Sequence, residues 1–279
     1  MEVVERSVQK KRAPLLFNLA ELQAECAKRF KISPDETLAA AQELYEKKLT
    51  TYPRTDARVL STAVAKEIGK NISRLKGYEP VAGFVQRIMQ EGKYKQIART
   101  QYTDDAKVTD HYAIIPTGQL SELSALNALQ RRIYDLIVRR FLSIFYPPAE
   151  YDHVRLTVAV AGEKLFSSAK ALKSPGYLEI AGLPRRAGED GGVTPETAGS
   201  EKRGSAELRG SKDQEGGEGE SEIRKDGDGS SESENAALLR YAERLHKGDA
   251  LSVCGYEIRE GKTSPPKRYN SGSMILAMV

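Results

Sequence analysis

The sequence predicts an α+β, multidomain chain in which a mainly helical region bearing a candidate nucleophilic tyrosine precedes an antiparallel β-rich region. Three observations predict it. Between residues 14 and 148, capping residues introduce apolar runs spaced for one helix face; from Tyr151 the apolar period shortens to two; and residues 186–235 lose periodicity. At 279 residues the chain can bury a sizeable core and is long enough for about two domains. The boundaries read this way are a charged lead-in at 1–13, a helical domain at 14–148, a β-rich domain at 149–250 with an insertion at 186–235, and a return segment at 251–279.

The helical signals come first. Asn18 can cap a helix with Glu21 at its third position, Phe17 can staple onto Leu22, and Leu19, Leu22, Cys26 and Phe30 share one face. Ser33-Pro34-Asp35-Glu36 supplies a cap, a proline at the first helical position and a capping-box glutamate; Leu38, Ala41, Leu44 and Tyr45 are the expected inward residues of that second helix. The pair could be a helix-turn-helix reader, although ordinary core packing is the commoner use of such a turn. Val64, Ile68, Ile72 and Leu75 mark a third helix closed by Lys76-Gly77, and Val81 to Met89 a fourth. Lys93, Lys95, Arg99 and Lys107, interleaved with Tyr94 and Tyr102, could hold phosphates and stack bases or simply be solvated. A last helix is expected over Glu122 to Phe145, with Leu126, Leu129, Ile133, Ile137 and Phe141 on one side and Arg131, Arg132, Arg139 and Arg140 largely elsewhere.

Val154, Leu156, Val158 and Val160 then alternate with Arg155, Thr157 and Ala159, as a half-buried strand requires. Gly162-Glu163 can turn the chain back into a strand at Leu165, and Ser174-Pro175-Gly176 allows a third strand at Tyr177 to Ile180. Residues 186–235 hold 11 glycines and 7 serines and too few large apolar residues to offset their ordering entropy, so no packed structure is expected there. Order should return with a short helix at Ala236 to Leu245 and a strand at Gly248 to Val253.

Charge narrows the function. The net charge of +4 conceals an asymmetry: residues 1–150 carry 24 Lys+Arg against 18 Asp+Glu, whereas 186–235 carry 7 against 14. The front half is the expected face for a polyanion. Cys26 and Cys254 form no paired-ligand spacing, which argues against a zinc site or a disulfide framework and suits a reducing compartment. No apolar run approaches the roughly 20 residues of a membrane span, and the N-terminus lacks signal-peptide character, so a soluble, cytoplasmic protein is expected.

The chemistry centres on Leu49-Thr50-Thr51-Tyr52-Pro53-Arg54-Thr55-Asp56. Pro53 drives Tyr52 out of the helical region, and in an extended chain Tyr52 and Arg54 point the same way. A tyrosine hydroxyl is a possible covalent nucleophile, but it is almost wholly protonated at neutral pH and needs a nearby cation, metal or base. Arg54 could supply part of that while forking onto phosphate oxygens. The plainer reading is a tyrosine in a turn beside a surface arginine. His111, within Thr109-Asp110-His111-Tyr112-Ala113-Ile114-Ile115-Pro116-Thr117, admits two readings likewise: a core histidine satisfied by a hydrogen bond, or a group that bonds phosphate or relays a proton.

Taken whole, these strings resemble the type IA DNA topoisomerases, in particular the topoisomerase III branch. Tyr52-Pro53-Arg54-Thr55-Asp56 is similar to the family's active-site Y-P-R-T-D, His111 falls in its D-H-x-A-I-x-P-T string, Pro175-Gly176-Tyr177 resembles its P-G-W, and Pro265-Pro266-Lys267-Arg268-Tyr269 its P-P-K-R-Y. The resemblance implies a fragment of the family's toroid: residues 1–13 ending a preceding arch segment, then the tyrosine domain, then the β arch, then the start of a DNA-binding helical domain. It implies Tyr52 as the nucleophile that takes a 5′ phosphate from single-stranded DNA, Arg54 and His111 as its catalytic neighbours, and Thr55, Lys267, Arg268, Tyr269 and Ser273 as DNA contacts. Asn270 and Ser271 depart from the usual Thr and acidic residue there, although both can still cap a helix.

The family's D-x-D-x-E cluster is not found in this sequence: Asp104-Asp105 lacks a third acid. The expectation is therefore Mg²⁺ bound by an N-terminal metal-binding domain outside this chain, no metal ligand within it, and a bacterial, DNA-associated monomer that binds single-stranded DNA without cleaving it alone. The competing expectation is a non-catalytic DNA-binding or partner-binding module derived from the same fold. No Gly-rich phosphate loop is present, in keeping with transesterification that needs no ATP.

Overall fold

A computed structural model describes residues 1–182, 232–258, 260–263, 265–266 and 268–278. Most of the insertion expected at 186–235 lies outside the described residues, as does Lys267. Among the described residues the chain forms a helical body and a three-stranded antiparallel sheet.

Strand β1 (Val3–Lys11) leads, followed by α1 (Leu19–Phe30) and α2 (Pro34–Glu46). The Asn18 side chain accepts from the Glu21 amide, and Ser33 and Glu36 form a reciprocal capping box, so both helix starts answer their sequence signals. The buried face of α2 is Thr37, Ala40, Ala41 and Leu44; Leu38 is only half-buried and Tyr45 is exposed. That turns the inward stripe slightly from the one expected. The small Ala40 and Ala41 let neighbouring segments approach where larger residues would not.

After a long non-helical stretch come α3 (Thr62–Arg74), α4 (Ala82–Glu91) and α5 (Ala128–Ser143), linked by short 3₁₀ turns. The last helix begins later than expected because Asn127 and Gln130 form a capping box that fixes its first turn, while Leu123–Ala125 is a separate 3₁₀ turn. Ile133, Ile137 and Phe141 are fully buried as expected, at the centre of a core shared with Phe17, Leu22, Leu44, Leu60, Ile68 and Ile114. Of the two candidates for base stacking, Tyr102 is structural and Tyr94 is half-buried. Tyr102 is 6% exposed and its hydroxyl donates to the Ala13 carbonyl at 2.7 Å, and the Tyr94 ring lies against Gly69, where a Cβ would sit 2.7 Å from it.

Strands β2 (Ala149–Val160) and β3 (Glu163–Ser174) form a hairpin through Ala161-Gly162, both at positive φ, as a type I′ turn requires. The third strand is not Tyr177 to Ile180, which instead forms a helical turn, α6 (Leu178–Ala181). Gly176 has φ +50 and lies so close to the Pro147 and Pro148 carbonyls that the chain turns under them, and the Tyr177 amide donates to the Pro147 carbonyl at 2.9 Å. The sheet order is β1-β2-β3, with Val4 opposite Leu156 and Arg6 opposite Val154.

Helix α7 (Glu232–Ala242) covers one face of this sheet, setting Ala242 and the following Leu245 against Val154, Leu156 and Val4. Arg6 crosses to the end of α7 and donates to the Ala242 and Leu245 carbonyls, both at 2.6 Å, satisfying acceptors that a helix terminus leaves without partners. Gly248 to Val253 forms no strand. The described chain closes with α8 (Ser271–Met278), capped by Asn270, whose side chain accepts from the Ser273 amide at 2.8 Å. Gly272 seats α8 on α1: a Cβ there would stand 3.1 Å from the Ala24 backbone and 3.2 Å from the Ala27 side chain. No described helix is long and apolar enough to cross a membrane.

Candidate active site around Tyr52

Three non-helical segments are laced together beneath Tyr52. The Thr51 amide donates to the Ile115 carbonyl at 2.9 Å, and its hydroxyl donates to the Ala113 carbonyl and accepts from the Ile115 amide. The Ala113 amide donates to Val59, the Ile114 amide to Phe17, and the Leu19 amide to Thr55. Asn18 adds a bond from its side-chain amide to the Asp56 carbonyl, so the cap that starts α1 also holds the segment after Tyr52. A salt bridge of 2.7 Å between Arg58 and Glu21 lies alongside. Segments far apart in sequence thus become one small platform, and their backbone groups are paired without a regular sheet.

On that platform the Tyr52 ring contacts two others. His111 is 4.5 Å away, centroid to centroid, with the planes tilted by 44°, and Tyr45 meets it edge-on at 5.3 Å. Tyr52 is half-buried and His111 exposed. Burial alternates from Pro53 to Ala57, with Arg54 and Asp56 outward and Pro53, Thr55 and Ala57 inward. The run is tightened at one place: the Thr55 amide donates to the Pro53 carbonyl at 3.1 Å, a three-residue turn with Arg54 at its apex. Arg54 is exposed and has no ion-pair or hydrogen-bond partner among the described residues, leaving its five donors available to an incoming anion.

Thr55 takes a different place from the one expected. It is 7% exposed, its hydroxyl donates to the His111 carbonyl at 2.8 Å and accepts from the Ala57 amide at 3.1 Å, so it holds His111 in place and does not face solvent for DNA. Arg268, Tyr269 and Ser273 lie on the loop and first turn of α8; Tyr269 is 66% exposed, while the Ser273 hydroxyl is engaged with Asn270. Helix α1 joins the two regions, its first residue bonded to Thr55 and its middle packed on Gly272. Sequence reasoning missed Thr51 and Tyr45 as parts of the site. Thr51 was legible as a small polar residue beside the tyrosine, whereas nothing in the spacing of Tyr45 announces its ring contact.

The pattern of the family described as DNA topoisomerase matches residues 1–215. The chain belongs to the type IA DNA topoisomerase family. It is 33% identical over 278 residues to DNA topoisomerase 3 of Bacillus licheniformis and 32% identical over 278 residues to that of Bacillus subtilis, in each case covering 99% of this chain and 31% of the relative. DNA topoisomerase 3 of Shouchella clausii is 34% identical over 266 residues, 95% of this chain and 29% of that protein. The chain therefore spans about a third of the length of these curated topoisomerase relatives. Among solved structures, full-length topoisomerase I from Thermotoga maritima matches 67% of this chain and 30% of its own, at 24% identity and a TM-score of 0.44.

The metal implied by the topoisomerase family does not fit the donors found here. Among the described residues no group of three or more His, Cys, Asp or Glu is placed to hold an ion. Asp104 and Asp105 are occupied as caps, accepting from the Ala106 amide and the Thr62 amide respectively.

Proposed function

We propose that Tyr52 is the nucleophile with which a type IA topoisomerase opens one strand of DNA. The observation that carries this reading is the Tyr52 ring in contact with His111 and Tyr45, with the unpartnered Arg54 guanidinium two residues on. The Tyr52 oxygen attacks the phosphorus of a phosphodiester, the bond from phosphorus to the 3′ oxygen breaks, and a 5′-phosphotyrosine remains. The proton lost by Tyr52 ends on the 3′ oxygen. Religation is the reverse attack by that 3′ hydroxyl, so bonds are exchanged one for one and ATP is not needed. Arg54 forks onto the non-bridging phosphate oxygens, and His111 bonds phosphate or carries the proton. Single-stranded DNA is the substrate in this reading, with Arg268 and Tyr269 as further contacts, and Mg²⁺ is supplied by polypeptide outside this chain.

The test is trapping of a labelled oligonucleotide on denaturing gels, with the acid-cluster region of a DNA topoisomerase 3 and Mg²⁺ added. Wild type should form a covalent adduct in the mixture but not alone. Tyr52→Phe removes one oxygen and keeps the ring's packing, so binding should persist while the adduct vanishes. An adduct in the Tyr52→Phe lane would place the nucleophile elsewhere, and wild-type binding with no adduct in the full mixture would favour a non-catalytic module.

A further inference from the structure

A cavity of about 560 Å³ opens at the far end of α1, between the end of that helix, the Tyr78–Pro80 turn and one side of α5. Its floor is apolar and partly aromatic, including Phe30, Tyr78 and Leu136, and five arginines surround it. They are not equivalent. Arg139 is paired with Asp135 at 2.7 Å, and Arg29 with Glu25. Arg131, Arg132 and Arg140 have no carboxylate in salt-bridge contact among the described residues. Arg131 donates to the Leu123 carbonyl at 2.8 Å, a neutral acceptor that leaves its charge uncompensated, whereas Arg140 donates to the Leu15 carbonyl at 3.0 Å, lies over the Phe17 ring and feels Glu25 and Glu21 at longer range. Arg132 sits over the Phe30 ring, its guanidinium carbon 4.3 Å from the centroid. Burial pulls the Arg140 pKa down from the ordinary arginine range, a sign that positive charge is held in a site drier than the surface around it.

An apolar floor calls for a flat or greasy group, and the uncompensated guanidiniums call for an anion, preferably a planar or forked one. A nucleotide unites the two. We propose that this cavity seats one nucleotide of single-stranded nucleic acid, its base on the floor by Phe30 and Tyr78 and its phosphate on Arg131 and Arg132. An acidic peptide would meet the guanidiniums but leave the aromatic floor to water, so the shape and chemistry favour the nucleotide. The seat is separate from the platform of Tyr52: α1 runs from Leu19, bonded to Thr55, to Phe30 at the cavity, about 16 Å at its rise per residue. It goes beyond the cleavage reading and does not depend on it.

The experiment uses the full chain and thymidine pentamers carrying 4-thiothymidine, cross-linked by long-wavelength light and mapped by peptide mass spectrometry. Cross-links should fall on peptides containing Phe30, Tyr78 or the start of α5, and Tyr52→Phe should leave their yield unchanged. Arg131→Ala with Arg132→Ala should cut that yield roughly tenfold, since both phosphate contacts are lost while the apolar floor stays. Arg132→Lys should recover only part, since it restores charge without the plane. Phe30→Leu keeps an apolar side chain in the core and should lower cavity cross-linking while circular dichroism stays that of wild type. Cross-links confined to peptides around Tyr52 and His111, or none at all, would overturn the second seat, the former while supporting the first. Equal displacement of the pentamer by poly-glutamate and by an abasic oligomer of the same charge would also overturn it, because the base would then contribute nothing.

Discussion

The Thr55 hydroxyl and the His111 backbone carbonyl are 2.8 Å apart, joining two segments separated by 56 residues. Because the same hydroxyl also accepts from the Ala57 amide, removing it strands a buried donor and a part-buried acceptor together. Thr55→Val, nearly equal in volume, should therefore cost about 1–3 kcal/mol in urea unfolding. Thr55→Ser keeps both bonds and should recover most of that. A valine variant within about 0.5 kcal/mol of wild type, the usual range for inconsequential surface changes, would show that the bond does not hold the platform.

Asn18 has two duties where Ser33 has mainly one. Its side chain accepts from the Glu21 amide to start α1 and donates to the Asp56 carbonyl beyond Tyr52, and it is 3% exposed. An exposed cap is worth about 1 kcal/mol, so Ser33→Ala should lose roughly that. Asn18→Ala should lose more, on the order of 2 kcal/mol, since the Asp56 carbonyl is left without its partner as well. Thermal unfolding of the two variants side by side decides it, and equal losses would mean that the bond to Asp56 contributes nothing.

Those caps also show where the sequence could be read and where it could not. Asn18 with Glu21 and Ser33 with Glu36 act within three residues of themselves, so the starts of α1 and α2 were legible. The third strand was not legible in the residues themselves, and only the family likeness placed the end of a β-arch segment at 1–13: β1 lies at the sheet edge with nearly all its residues exposed, and its pairing with β2 joins residues 138 to 154 positions apart. Tyr177 failed as a strand for the opposite reason: its preceding glycine is committed by carbonyls that the sequence does not place nearby. The approach of His111 to Tyr52 is likewise non-local. Only the likeness of whole strings to a known family pointed to it; taken alone, a lone histidine beside an apolar run reads more readily as a core residue.

Glycines in this chain divide by what surrounds them, and two with positive φ make the contrast measurable. At Gly176 a Cβ would come within 2.4 Å of the Pro148 carbonyl and 2.5 Å of the Pro147 carbonyl, both backbone atoms that cannot swing aside. At Gly162 nothing lies within 4 Å. Gly162→Ala should thus cost only the left-handed backbone strain, about 1 kcal/mol. Gly176→Ala adds a clash and should lose about 3 kcal/mol or more. Denaturant unfolding checks the order, and a Gly176 variant no worse than the Gly162 variant would contradict the packing of the turn.

The two thiols should report folding directly. Burial pushes the Cys26 thiol up to about 12, against a weaker opposite pull from the Thr37 hydroxyl, while Cys254 is exposed. A thiol raised that far stays protonated through pH 7–9, and the thiolate is the reactive form. A disulfide reagent at pH 8 should therefore modify one thiol quickly in the native chain and the second only on unfolding. Rapid modification of both without denaturant would mean that Cys26 is not sealed between α1 and α2.

Arg54 offers the sharpest separation between positioning charge and the nucleophile itself. At the apex of its three-residue turn it is exposed and unpaired, whereas Arg58, four residues on, is tied to Glu21. In the proposed reaction its charge meets a phosphate whose negative charge grows in the transition state, so its loss slows the step without removing the attacking oxygen. Arg54→Ala should reduce the rate of adduct formation by about 10²- to 10³-fold, the usual size for one electrostatic donor, and leave the final adduct detectable. Arg54→Lys should regain part of that rate, since a point charge replaces the planar fork. Arg58→Ala should instead lower stability by roughly 1 kcal/mol, with the rate per folded molecule little changed. The measurement is a time course of oligonucleotide trapping with the metal-bearing region present. If Arg54→Ala and Arg58→Ala slowed the adduct equally, the guanidinium at position 54 would hold no special relation to the phosphate, and the geometry of the turn would have to be assigned to packing alone.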